Sequence, residues 1–273
     1  MSISTEGLDI KGKVIFSTGN IMSMSDITKK PSQNSTEELV EAIKFTLKNQ
    51  KTKSNEFITD HLQMGSKGEE IQLKMQEIGF DDLKIGLKVF LINDNPALLE
   101  EALSQALQKQ LNVPKVFDVI ISFKNHSLDE AANQEPNLLD KSEFDNLNQI
   151  KPIWKCLETY VSKKIVGELG IADIEESTFK ELYEWATIKP SIVQINLETC
   201  CVVPPGLQSF CKEKEVKLYT HNDSSVILPD KLVEEMFGNT LELQWAVRFT
   251  IHIKCRGVLT TKGYCICMDT KAK

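Results

Sequence analysis

The sequence has little with which to bind nucleic acid or a membrane. Its 273 residues carry 39 Asp and Glu against 32 Lys and Arg, a net charge of −7, and no long Lys/Arg block interrupts that excess. Such a chain repels polyanions and anionic lipid surfaces. No uninterrupted apolar run is long enough to span a bilayer, and MSISTEGLDI has neither a basic leader nor an apolar stretch of signal-peptide length, so a cytoplasmic protein is expected. The seven cysteines are odd in number and contain no CxxC pair, which argues against a secreted disulfide framework and predicts reduced thiols. Missing too are GxGxxG, GxxxxGKS and GxSxG, and with them the fingerprints of nucleotide-binding open sheets and of the serine hydrolase elbow. Aromatic residues are few at 7%, and no tyrosine precedes Tyr160.

What is present is a rhythm. Val14 to Gly19 reads as a short strand, and Ser35 with Glu38 forms a capping-box pattern before Leu39, Ala42, Ile43 and Leu47 at helical spacing. Residues 48–82, rich in Lys, Glu, Gln and Ser, read as a mobile surface insertion with a strand near Phe57 and a short helix near Ile71 to Met75. From Lys84 the pattern becomes regular. Lys84 to Ile92 is a strand, Asn95-Pro96 opens a helix, and Val116 to Phe123 is a strand again. Further strands at Ile165 to Gly170, Val193 to Leu197 and Val216 to Tyr219 alternate with helices carrying Phe179 and Leu182, then Leu207, Phe210 and Cys211. Short apolar strands alternating with helices predict parallel βαβ units, in a closed barrel or an open doubly wound sheet. Length favours one α/β domain over residues 1–273, a TIM-type (β/α)8 barrel. Val247, Phe249, Ile251 and Ile253 alternate like a strand, although Trp245 to Phe249 also suits a helix. Val258 to Cys265 is a second extended segment, and too few residues follow it for a closing helix.

Candidate chemistry is thin. Cys200 and Cys201 sit at a strand end, as a reactive thiol, an interface contact or packed side chains. His252 with Cys255, and Cys265 with Cys267, have spacings that recur by accident and do not define a metal site. None of the four histidines has a Ser or Cys relay around it, and Glu175-Glu176 and Glu234-Glu235 suit solvated helix positions.

The segment KKIVGELGIADIEESTFKELYEWATIKPSIVQINLETCCVVPPGLQSFCKEKEVKLYTHND resembles the second half of aldo-keto reductases. More narrowly, KP…VQINLETCCVVPPGL, YTHND and the terminal KCRGVLTTKGY resemble the regulatory (modifier) subunits of glutamate–cysteine ligase, with STGNI and FDVIISF fitting more loosely. The resemblance implies an aldo-keto reductase barrel lacking its final helix.

It also implies which reductase residues are missing. With no tyrosine before Tyr160, the usual proton donor has no counterpart. The reductase histidine falls on Phe123, with His126 in the following loop, and Asp60 matches the aspartate only loosely. Lys88 matches the lysine as a vestige. At the NADPH site Gln194 is retained, whereas Ala172-Asp173 and Thr220 replace the usual side chains. The expectation is therefore a non-catalytic subunit without cofactor or metal. It would bind the ligase catalytic subunit as a heterodimer, improve glutamate use and relax glutathione inhibition. Interface candidates are Cys200, Cys201, Pro204 and Pro205 in one loop, and Val258, Tyr264, Cys265 and Cys267 where the last helix is missing. Alternatives are a divergent NADPH-dependent reductase using an acid such as His126, or an NADPH-binding sensor.

Overall fold

The computed structural model describes residues 12–24, 34–49, 56–58, 61–123, 147–196, 203–224, 226–238 and 240–271. They form one ten-stranded sheet in the order β2-β3-β1-β10-β9-β4-β5-β6-β7-β8. The first half comprises β1 (Lys13–Ser17), α1 (Ser35–Asn49), β2 (Glu56–Ile58), β3 (His61–Gly65) and α2 (Glu69–Ile78). The regular part follows as β4 (Leu83–Leu91), α3 (Pro96–Ser104), β5 (Val116–Phe123), α4 (Leu147–Ser162), β6 (Val166–Ala172), α5 (Glu176–Trp185), β7 (Ile192–Asn196), α6 (Pro205–Glu213) and β8 (Lys217–His221). Then come α7 (Asp230–Phe237), β9 (Leu241–Ile253) and β10 (Val258–Thr270).

β4 to β8 pair in parallel, each joined to the next through a helix, as the alternation predicts. The remainder is not a simple continuation of that pattern. β9 runs antiparallel to both β4 and β10, and β10 antiparallel to β1. A long hairpin thus stands between β1 and β4, and the described pairings include none between β2 and β8. The segment Trp245 to Phe249 is strand rather than helix. Its alternate residues Trp245, Val247 and Phe249 are buried in one core and Ala246 in another, a period of two that a helix cannot produce.

That alternation divides the molecule. Leu87, Val89 and Leu91 of β4, with Val119, Ile121, Phe249 and Cys267, face the larger core beneath α2 to α6. Val14, Phe16, Phe90, Ala246 and Tyr264 face a second core covered by α1 and α7. Residues 61–82, expected as an insertion, are integrated: β3 pairs in parallel with β1, and Ile71 and Met75 of α2 are buried in the larger core. Their polar neighbours hid an amphipathic face only a few residues wide.

Of the two helix starts read from the sequence, one holds and one shifts. Asn95 caps α3 by accepting from the Ala97 N–H at 3.0 Å, with Pro96 in the first turn, as predicted. The cap of α1 is instead Asn34, whose Oδ1 accepts from the Glu37 N–H at 2.9 Å. Ser35 already lies inside the helix, which frees Glu38 for another partner.

Candidate functional site

Lys88, Arg248 and Tyr264 lie in cross-strand register on β4, β9 and β10. Two cations opposite each other on a sheet repel. One carboxylate offsets this: Asp223, two residues beyond β8, accepts from Lys88 Nζ at 2.7 Å and from Arg248 Nη2 at 3.0 Å, while its other oxygen contacts Arg248 Nη1. Lys88 Nζ also donates to Gln194 Oε1 on β7 at 2.9 Å, so the two residues singled out as vestigial meet directly.

The surrounding polar groups fix Asp223 in place. Asn196 Nδ2 donates to its carbonyl oxygen at 2.7 Å. Its N–H donates to His221 Nδ1 at 3.1 Å, which leaves His221 Nε2 to carry the proton toward Asp173 Oδ1 at 2.9 Å. On the other side Arg248 reaches the Tyr264 hydroxyl, which donates to Glu38 Oε1 at 2.6 Å, and Lys262 completes the chain on Glu38. Every link is a hydrogen bond or ion pair within the fold.

Burial governs the charges. It presses the Lys88 ammonium below its usual range, against the pull of Asp223. Burial would also raise Asp223, yet Arg248 and Lys88 together hold that carboxyl well below the ordinary range. Tyr264 is pushed far above the usual phenol value, chiefly by burial and further by Glu38. Phe90 closes the cluster, its ring centre 5.4 Å from Lys88 Nζ and 5.6 Å from Arg248 Cζ. The cavity beside Phe90, walled also by Phe123, Ile227 and Leu243, holds about 20 Å³, room for a water. Gln194 and Asp173 are both engaged within the fold, by Lys88 and His221 respectively.

The short motifs prove to be contacts. Thr18 to Asn20 meet Lys262 to Tyr264: the Tyr264 N–H donates to Thr18 Oγ1 at 2.9 Å, and the Lys262 N–H to Asn20 Oδ1 at 3.3 Å. A side chain at Gly263 would strike the Gly19 carbonyl and the Phe249 ring, so this approach requires glycine. QIN and HND likewise meet around Asp223.

Other predicted residues are scattered. Pro204 and Pro205 open α6, and Val258 is 49% exposed at the start of β10. Tyr264, Cys265 and Cys267 offer no surface for a partner, because β10 is an interior strand between β1 and β9. Burial drives the Cys265 thiol up to about 12, which leaves it unreactive near neutrality. Cys200, Cys201, His126 and Asp60 lie outside the described residues. Among the described residues no group of three His, Cys, Asp or Glu side chains could hold a metal, and no helix is long and apolar enough to cross a membrane. Sequence reasoning missed Arg248 and Asp223. The signal for Arg248 was an isolated charge in the apolar run WAVRFTI; Asp223 had none beyond its place in YTHND.

No protein-family model matches the chain. It is similar to the glutamate–cysteine ligase regulatory subunit of Homo sapiens, 26% identical over 262 residues covering 90% of this chain and 89% of the relative. It is equally similar to the glutamate–cysteine ligase regulatory subunit of Mus musculus, 26% identical over 261 residues with 90% and 89% coverage. Among solved structures, an aldo-keto reductase complexed with NADPH is 20% identical, with a TM-score of 0.42 over 57% of this chain and 44% of that one. The fold assignment rests on the strand pairing, not on that likeness.

Proposed function

We propose that this chain is a non-catalytic regulatory subunit of glutamate–cysteine ligase, acting in the cytoplasm by binding the catalytic subunit as a heterodimer. The observation that carries this reading is the similarity to regulatory subunits along nine-tenths of both chains. The geometry supports it from a second direction. A general acid needs a proton it can release near the working pH and reach toward a substrate. The tyrosine in this cluster gives its hydroxyl to Glu38, and Lys88 is enclosed by Asp223 and Gln194. These groups hold one another rather than a substrate.

A regulator changes its partner only by binding two of the partner's states with different affinity. The expected effect is stabilisation of a catalytic-subunit state that binds glutamate better and glutathione worse. Of the interface candidates, exposed Val258 beside the β9–β10 turn and the Pro204-Pro205 start of α6 remain available for contact.

The test is the rate of γ-glutamylcysteine formation by the catalytic subunit, with and without this chain, across glutamate and glutathione concentrations. A lower apparent glutamate requirement or weaker glutathione inhibition supports the regulator. No association and no change in rate overturns it, and NADPH consumption with an aldehyde panel then tests a reductase.

A further inference from the structure

A cavity of about 400 Å³ opens at the end of β4 opposite the Lys88–Asp223 cluster, where β4, β5 and β6 begin. Its volume falls within the range of about 300 to 1,000 Å³ typical of small-molecule sites. Phe80, Phe117, Pro114 and Ile85 supply apolar wall, and Lys115 and Lys254 supply charge. We propose that this cavity binds a small carboxylate with an aromatic or branched apolar body.

Three observations converge on that chemistry. Phe80 and Phe117 are 37% and 36% exposed, so both rings keep open surface that a ligand would cover. Phe117 is also held from one side by Lys84 Nζ, 4.2 Å from its ring centre, which fixes it as a wall rather than a loose side chain. The cations are available. Lys115 has no hydrogen-bond or ion-pair partner among the described residues. Lys254 Nζ donates one bond to the Asp81 carbonyl oxygen at 2.6 Å and has further protons to give. The wall's carboxylate is not available: Glu168 accepts from Lys217 Nζ at both oxygens, at 2.6 and 2.7 Å. An anion entering here meets two lysines and a carboxylate already neutralised, beside apolar surface for its body.

This site is independent of the ligase partner and is testable on the full chain alone. The probe is 2-naphthoate, followed by calorimetry, with neutral 2-naphthamide as its uncharged counterpart. The expected result is saturable binding of one naphthoate per chain, with the amide about tenfold weaker or worse. Lys115→Ala with Lys254→Ala should bring naphthoate down to the amide's affinity, and both side chains can be truncated without opening the core. Phe117→Ala should weaken both probes with the unfolding temperature unchanged. The proposal is overturned by no saturable binding at millimolar naphthoate, or by equal affinity in the double lysine variant. A stoichiometry of one probe per two chains would also overturn it, by assigning the surface to contact between copies.

Discussion

Lys84 and Lys88 lie four residues apart on β4 and live under opposite conditions. Lys88 is enclosed, with 5% of its side chain exposed and Asp223 and Gln194 bound to it. The Lys84 side chain is 41% exposed and stands 3.8 Å from Asp118 over the Phe117 ring. At one end of the strand the charge is enclosed and closely matched; at the other it is exposed and only loosely paired. A buried ion left unmatched by its neighbours destabilises the fold by several kcal/mol, so matched ions are poor places to look for chemistry and unmatched ones at a cavity are better.

The largest effect should come from removing the match. Asp223→Ala leaves Lys88 and Arg248 facing each other without their shared carboxylate, and urea unfolding should show a loss of about 3 to 5 kcal/mol. Replacing all three together, Lys88→Met, Asp223→Leu and Arg248→Met, should cost far less than the single change. Equal losses would mean the cluster is more than a set of mutually compensating charges.

The next effect reverses sign at the open end. Burial raises the Asp118 carboxyl to about 6 from its ordinary 3.8, with Lys84 only partly opposing it. Its neutral form therefore favours the folded state. The associated stability is present below pH 3.8 and is lost as pH rises through about 6. Asp118→Asn should gain about 2 to 3 kcal/mol above pH 6 and nothing below pH 4. Asp223, whose folded carboxyl is depressed, behaves oppositely: its contribution is present above 3.8 and lost as pH falls further. Stability measured from pH 3 to 8 in the two variants separates these slopes.

The smallest effect is electrostatic and local. The His252 imidazole is held below its usual value, first by burial and then by the Lys84 charge. Lys84→Met should raise its titration midpoint by NMR while changing stability by less than about 1 kcal/mol. An unmoved midpoint would leave burial as the whole cause.

Much of this architecture was legible in the sequence where a segment's periodicity matched its burial. β4 to β8 and their helices follow from apolar strands between helices with clear faces, and Asn95-Pro96 marks a helix start by local chemistry alone. The β9–β10 hairpin was only half legible, because WAVRF suits either period until its neighbours decide. α2 was obscured because two buried residues, Ile71 and Met75, anchor it among charged ones. The site was legible only in fragments. Lys88 and Gln194 stood out singly, but they meet across 106 residues and share their surroundings with Asp223 beyond β8, and no local pattern reports an ion pair spanning 135 residues. Glu38 looked like a cap because a capping box is a local pattern, whereas its partner Tyr264 is 226 residues away.

The hairpin between β1 and β4 has a consequence for synthesis. β1 emerges from the ribosome long before its neighbour β10, and Thr18 waits for Tyr264, 246 residues later. Until then β1 and β4 each present an open edge, the kind of surface on which strands of other chains pair. Closing so long a loop is also slow. Newly made chains therefore pass through an interval in which the parallel strands are complete but unjoined to the first half, and in that interval more strand edge is open than in the finished fold.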